Sequence, residues 1–172
     1  MITTTTAIME SGMTFGPYPA GHCWHIEKSR VYASNQQGVK MAEFLLLRDN
    51  AIWIVEAKSS SPRPEGRQSF DRFLHEMQQV MHNALWLFLG VRLGRHGPEA
   101  LGDLPVAFQS VNLATIGFKL VLVINGHKPE WLLRLRNSLA CRLMANMRAL
   151  GLQESTIFVL NDAMARQKGL IQ

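Results

Sequence analysis

Hydrophobic positions along the chain fall into short continuous runs and longer helical stripes, and the alternation of the two predicts the elements. Residues 1–21 show neither pattern. A threonine run followed by Gly16, Pro17 and Pro19 reads as an N-terminal arm or loop with room for one short helix. His22 to Tyr32 fits a strand, and Ser34-Asn35-Gln36-Gln37-Gly38 a turn. Val39 to Arg48 and Ala51 to Lys58 are apolar runs separated by Asp49-Asn50, and because both of those residues tolerate positive φ the pair predicts a hairpin. Ile52-Trp53-Ile54-Val55 is unbroken in its β-branched and aromatic character. Such a run marks a strand buried on both faces, interior to its sheet.

Pro62 and Pro64 exclude a regular element over Ser59 to Gly66. Phe70, Leu74, Met77, Met81, Ala84, Leu85 and Phe88 then recur at helical spacing, which predicts a long helix from Gln68 to Arg95 that Gly94 and Gly97-Pro98 end. His96 to Gly117 reads as a loop with one short strand near Val106 to Val111. Phe118 to Ile124 is a second buried strand, closed by Asn125-Gly126. Pro129 opens a helix where its missing N–H costs nothing, Leu132, Leu135, Leu139, Leu143 and Met147 form its apolar stripe, and Gly151 caps it. Thr156 to Leu160 is the last strand, and Ala163 begins a short terminal helix. A hairpin followed by strands alternating with helices predicts an α/β fold with a mixed central sheet flanked by helices. With no internal repeat and no linker, residues 1–172 read as one domain, an arm over 1–21 and a core over 22–172.

Composition narrows the class. A hydrophobic fraction of 47% and a charged fraction of 18% suit a folded globular chain. The net charge of +5 is compatible with a polyanionic partner such as nucleic acid. Cys23 and Cys141 make neither a disulfide framework nor a zinc spacing and read as buried or half-buried thiols. No signal peptide pattern and no apolar run of membrane length is present, so the expectation is a cytoplasmic protein.

The chemistry concentrates in the hairpin. Glu56 and Lys58 are two residues apart and therefore share one face of their strand, and Glu43 on the partner strand comes within reach of Glu56. Carboxylates inside an apolar strand are costly unless they pair or bind a cation. Two that converge repel unless a cation lies between them. Mg²⁺, or Mn²⁺ in its place, suits such a pair, since Mg²⁺ takes oxygen ligands and commonly one or two carboxylates with water and phosphate completing the set. Lys58 is placed to orient or deprotonate a water, or to stabilise charge on a phosphate.

Glu43-Phe44-Leu45-Leu46-Leu47 followed by Ile54-Val55-Glu56-Ala57-Lys58-Ser59-Ser60 resembles the core of the PD-(D/E)xK nuclease superfamily, in which an acid on one strand precedes an acid-x-lysine motif on the next. The resemblance extends over the element order from about Ile26 to Asp162. It implies a restriction-endonuclease-like core and a divalent-metal-dependent phosphodiesterase acting on nucleic acid, DNA before RNA. Carried over, Glu43 and Glu56 are metal ligands, the Ala57 carbonyl is a third, and Lys58 is the catalytic lysine. The first acid of that family is usually Asp after Pro, whereas Glu43 follows Ala42. Asp49 is the fallback, Glu27 and Glu10 are candidates for an upstream acid, and Gln78 or Gln79 for a polar residue from the following helix.

Arg63 and Arg67 lie in the loop leaving the site and can hold phosphates without sequence preference. The histidines form no zinc motif, and Asn125-Gly126-His127-Lys128 lacks the glycine pattern of a dinucleotide loop. The arginines of the second long helix read as a solvated face and the methionines as core. Two other readings stand beside the nuclease. One is a catalytically inactive module of nuclease-like fold serving as a subunit of a larger defence or repair assembly, whereas an active nuclease of this size can form a homodimer to cut two strands. The other is a small-molecule site near Asn125 and Asn161-Asp162, at the carboxyl ends of strands.

Overall fold

A computed structural model describes residues 5–35 and 38–172. Gln36 and Gln37 of the expected turn at Ser34–Gly38 lie outside them. Five strands form the central sheet in the order β3 (Cys23–Trp24), β4 (Phe44–Arg48), β5 (Ala51–Lys58), β6 (Gly117–Ile124) and β7 (Ile157–Asn161). β3, β4 and β5 pair antiparallel, and β5, β6 and β7 pair parallel. The expected mixed sheet is therefore present, with β5 at its centre. Asp49 and Asn50 both adopt positive φ (52° and 53°), the conformation a two-residue hairpin turn requires. The long helices are α2 (Arg67–Arg92) and α5 (Pro129–Ala149), within a few residues of expectation.

Alternation along β5 sorts its side chains between two cores. Ile52 and Ile54 pack with Leu74, Met77, Met81 and Phe88 of α2 and Leu135, Leu139 and Leu143 of α5. Trp53, Val55 and Ala57 face the other way. Each fully buried aliphatic side chain contributes about 1.5–3 kcal/mol relative to exposure, so a one-residue slip of β5 would invert the sheet's whole apolar set.

The second face is where the structure departs from the expectation of an arm and a sheet with helices on both sides. Residues 5–19 form a hairpin, β1 (Thr5–Glu10) and β2 (Met13–Pro19). Ile8, Met13, Phe15 and Tyr18 bury against Val55, Val121 and Leu160, together with Ala165 of α6 (Asp162–Gln167) and the C-terminal Leu170 and Ile171. The hairpin is fastened there by hydrogen bonds from Gly16 N to Leu170 O and from Gln172 N to Thr14 O, both 3.0 Å, and from Tyr18 Oη to Leu170 O, 2.7 Å.

Three shorter elements also differ. The strand expected over His22 to Tyr32 stops after Trp24, and a 3₁₀ turn (Ile26–Lys28) and α1 (Arg30–Ala33) follow, with Ser29 Oγ capping α1 by accepting the Tyr32 N–H. The run from Val39 is extended only from Phe44 onward. In place of a strand near Val106 to Val111 there are α3 (Gly97–Asp103) and α4 (Val106–Gln109). The Phe108 and Val111 carbonyls accept from the Arg92 guanidinium of α2, so this segment needs no strand partner. Cys23 is half-buried as expected, whereas Cys141 is exposed on α5.

Candidate metal centre

Register places the expected residues. Phe44 pairs with Val55, and the Glu43 N–H donates to the Val55 carbonyl at 3.1 Å, which carries the β4–β5 ladder one residue further. Glu43 thereby arrives beside Glu56, and both border an open cleft of about 370 Å³ on the α2 side of the sheet. Lys58, Glu27 and Glu76 also line it. Glu56 is 2% exposed, and its Oε1 lies 2.5 Å from Lys58 Nζ. Glu43, Glu56 and Lys58 are thus brought together as the sequence predicts.

Three further donors gather at Glu43. Glu10, His25, Glu27 and Glu43 each offer a ligand atom, and these atoms lie within 4.8 Å of one another. Glu10 ends β1 at the hairpin tip, which Asn125 anchors by donating from Nδ2 to Ser11 O at 3.1 Å. Gly12 follows with φ 76°, a left-handed conformation in which a side chain would be strained. His25 and Glu27 flank Ile26, whose complete burial fixes the 3₁₀ turn. Glu10 and Glu27 are the upstream acids that sequence considered, but they come from a strand end and a turn rather than a helix. His25 was not expected.

Burial pushes the Glu43 carboxyl up to about 8, and the charges of Glu56, Glu27 and Glu10 add to the effect. Burial also raises Glu56, to about 7, against the opposing pull of Lys58. Burial disfavours the Lys58 ammonium, but the Glu56 carboxylate outweighs it, and the lysine pKa is raised. The His25 imidazole is lowered by burial and by the neighbouring Lys28 charge, which keeps it neutral as a metal ligand must be. Glu43 Oε2, Glu56 Oε2 and His25 Nε2 are buried without a hydrogen-bond partner. A buried polar atom without a partner costs about 1–3 kcal/mol, more if charged. Two of them, on Glu43 and His25, belong to the group of four side chains whose donor atoms gather closely enough to hold a metal ion.

Ala57 buries its methyl on the opposite face, so a role as ligand falls to its backbone carbonyl alone. Asp49 stays in the turn with Arg48, 3.4 Å away, and takes no part in the cleft. Gln78 is turned away and donates to Arg142 O at 2.9 Å, while Gln79 faces solvent. Helical phase presents Glu76 and Val80 to the cleft instead, with Glu76 held by Lys40 at 3.0 Å. Arg63 and Arg67 are exposed, Arg63 over the ring of Trp131 and Arg67 at the start of α2. Among the described residues no helix is long and apolar enough to cross a membrane. Comparison with protein-family models, with curated proteins and with solved structures returns no match.

Proposed function

We propose that this protein is a Mg²⁺- or Mn²⁺-dependent phosphodiesterase acting on nucleic acid, DNA first, with Glu43 and Glu56 as metal ligands and Lys58 beside them. The observation that carries the reading is Glu56, 2% exposed with Oε2 unpartnered, next to Glu43 whose Oε2 is likewise orphaned. A purely structural ion pair would satisfy both carboxylate oxygens. The element order, a hairpin followed by a long helix, a strand and a helix, agrees with the PD-(D/E)xK resemblance.

Glu10, His25 and Glu27 supply the remaining donors from outside the hairpin. A divalent ion held there polarises a phosphodiester and lowers the pKa of bound water. Lys58, its ammonium charged and on the same strand face, is placed to hydrogen-bond a phosphate oxygen or the attacking water. The α2 wall excludes water from one side of the carboxylates, which strengthens their hold on a cation.

Calorimetric titration of Mg²⁺ and Mn²⁺ into wild type and Glu56→Gln, followed by cleavage assays on DNA and RNA, tests this. Binding and cleavage in wild type, both lost in the variant with its fold intact, is the expected result. Cleavage retained by Glu56→Gln rejects the assignment. The short Glu56–Lys58 contact favours a second reading, a non-catalytic module in which the lysine occupies the cation's place. Absence of metal binding in wild type selects it.

A further inference from the structure

Outside the cleft, the carboxyl edge of the sheet carries a second cluster of charge. The loops leaving the neighbouring strands β5 and β6 are tied together. Asn125 N donates to Lys58 O at 2.9 Å, and a 3.4 Å hydrogen bond joins Ser61 Oγ to His127 Nδ1. Asn161 Nδ2 donates to His127 O at 3.1 Å from the end of β7. On this frame stands Trp131, in the first turn of α5. The Arg63 guanidinium lies 5.6 Å and the Lys128 ammonium 5.0 Å from its ring centroid. Both cations are exposed, and among the described residues neither has a carboxylate within ion-pair distance.

His127 supplies an independent observation. It is 9% exposed, packs edge-on against Trp131 at 5.6 Å, and its Nε2 is buried without a partner. Burial keeps the ring neutral. Its Nδ1 shares the 3.4 Å hydrogen bond with Ser61 Oγ, and its Nε2 is left without a partner close to the two cations. The two exposed cations suit an anion rich in acceptor oxygens.

We infer that Arg63 and Lys128, held on the face of Trp131 with His127 behind it, form a backbone-phosphate clamp that seats a nucleic-acid strand leaving the Glu43–Glu56 cleft. The inference deepens the proposed activity and rests on it for the identity of the polyanion. Contact with the aromatic ring restricts the rotamers of both cations, so less freedom is lost when they engage phosphate. Contacts of this kind carry no sequence preference, and their strength falls with salt as counterions are released.

Fluorescence anisotropy of labelled DNA oligonucleotides, single-stranded and duplex, titrated with the whole protein in EDTA over a NaCl series, tests the clamp. Arg63→Ala with Lys128→Ala is expected to weaken binding at low salt about ten-fold and to reduce the slope of log K against log salt by about 2. Trp131→Leu, which stays apolar and loses the ring, is expected to weaken binding, and Trp131→Phe to restore it. Unchanged affinity and slope in the double variant overturns the clamp, as does failure of wild type to bind either oligonucleotide. Intact clamp-dependent binding by a wild type that neither takes up metal nor cleaves overturns the proposed activity and leaves the clamp standing. Thermal melting of each variant confirms that a loss of binding is not a loss of fold.

Discussion

Arg136 and Glu154 form an ion pair of 2.6 Å where α5 meets the 3₁₀ turn before β7, and Lys58 and Glu56 form one of 2.5 Å at the end of β5. In the first, every nitrogen of the guanidinium is hydrogen-bonded. Nη2 bonds Glu154 O at 3.0 Å, Nε bonds Ile157 O at 3.5 Å, and Nη1 also reaches Asn137 Oδ1. Glu154 is half open to water. In the second, one carboxylate oxygen is paired and the other is sealed from solvent with nothing to bond. The Arg136 pair is a clasp between a helix and a strand. The Glu56 pair is incomplete by itself, and that incompleteness, rather than the contact distance, marks the site.

Several substitutions sharpen the contrast. Glu56→Gln carries the largest expected effect, a loss of cleavage of about three orders of magnitude, the upper size seen when a charge-stabilising group is removed from an active site. Single-turnover assays measure it. Glu10→Gln, which withdraws one donor at the hairpin tip, is expected to lower Mn²⁺ affinity about ten-fold in calorimetry while the melting temperature of the metal-free protein stays level or rises, since one repelling charge is removed.

The pH dependence of stability has a definite sign. Folded Glu43 and Glu56 hold protons up to about 8 and about 7, whereas unperturbed carboxyls release theirs near 4.5. The folded state therefore binds more protons than the unfolded one in that window. Metal-free stability is full below about pH 4.5 and falls as pH rises through 7 to 8. Glu43→Gln flattens the decline, and saturating Mn²⁺ reverses it, because the ligands bind deprotonated. Melting curves across pH with EDTA or with Mn²⁺ check both. Arg136→Ala carries the smallest effect: unchanged metal affinity and a melting temperature lower by about 2–4 °C, corresponding to about 1 kcal/mol. A large loss of metal binding in that variant would erase the distinction between the two pairs.

The centre of this site was legible in the sequence, while its rim was not, for reasons that particular residues show. Ile52 to Val55 announce a buried strand, Asp49-Asn50 fix the turn, and turn plus register bring Glu43 to Glu56. Those relations are local. Glu10 reaches Glu43 only because a hairpin at one end of the chain docks on a sheet built from the rest, and His25 only because β3 pairs with β4 and a 3₁₀ turn follows it. That hairpin hides in its own pattern. In β1 the register shifts between Thr6 and Ile8, so strict alternation fails, and β2 contains Gly16, Pro17 and Pro19, which read as loop. The helix α4 was misread for a related reason, since Val106 to Val111 has strand composition and its carbonyls are satisfied by Arg92, a residue that local pattern does not connect to it.

The fastening of β2 to the C-terminal residues also bears on the order in which the molecule assembles. The hydrogen bond from Tyr18 to Leu170 closes a loop with a sequence separation of 152 residues. Closures that long carry a higher entropic cost than local ones and are favoured only once the intervening sheet has been formed. Glu10 travels with this hairpin toward Glu43, so metal uptake by the proposed centre would report completion of the whole fold. During refolding, Mn²⁺ capture is thus expected to lag the recovery of helical signal from α2 and α5, and the lag times the docking of the hairpin.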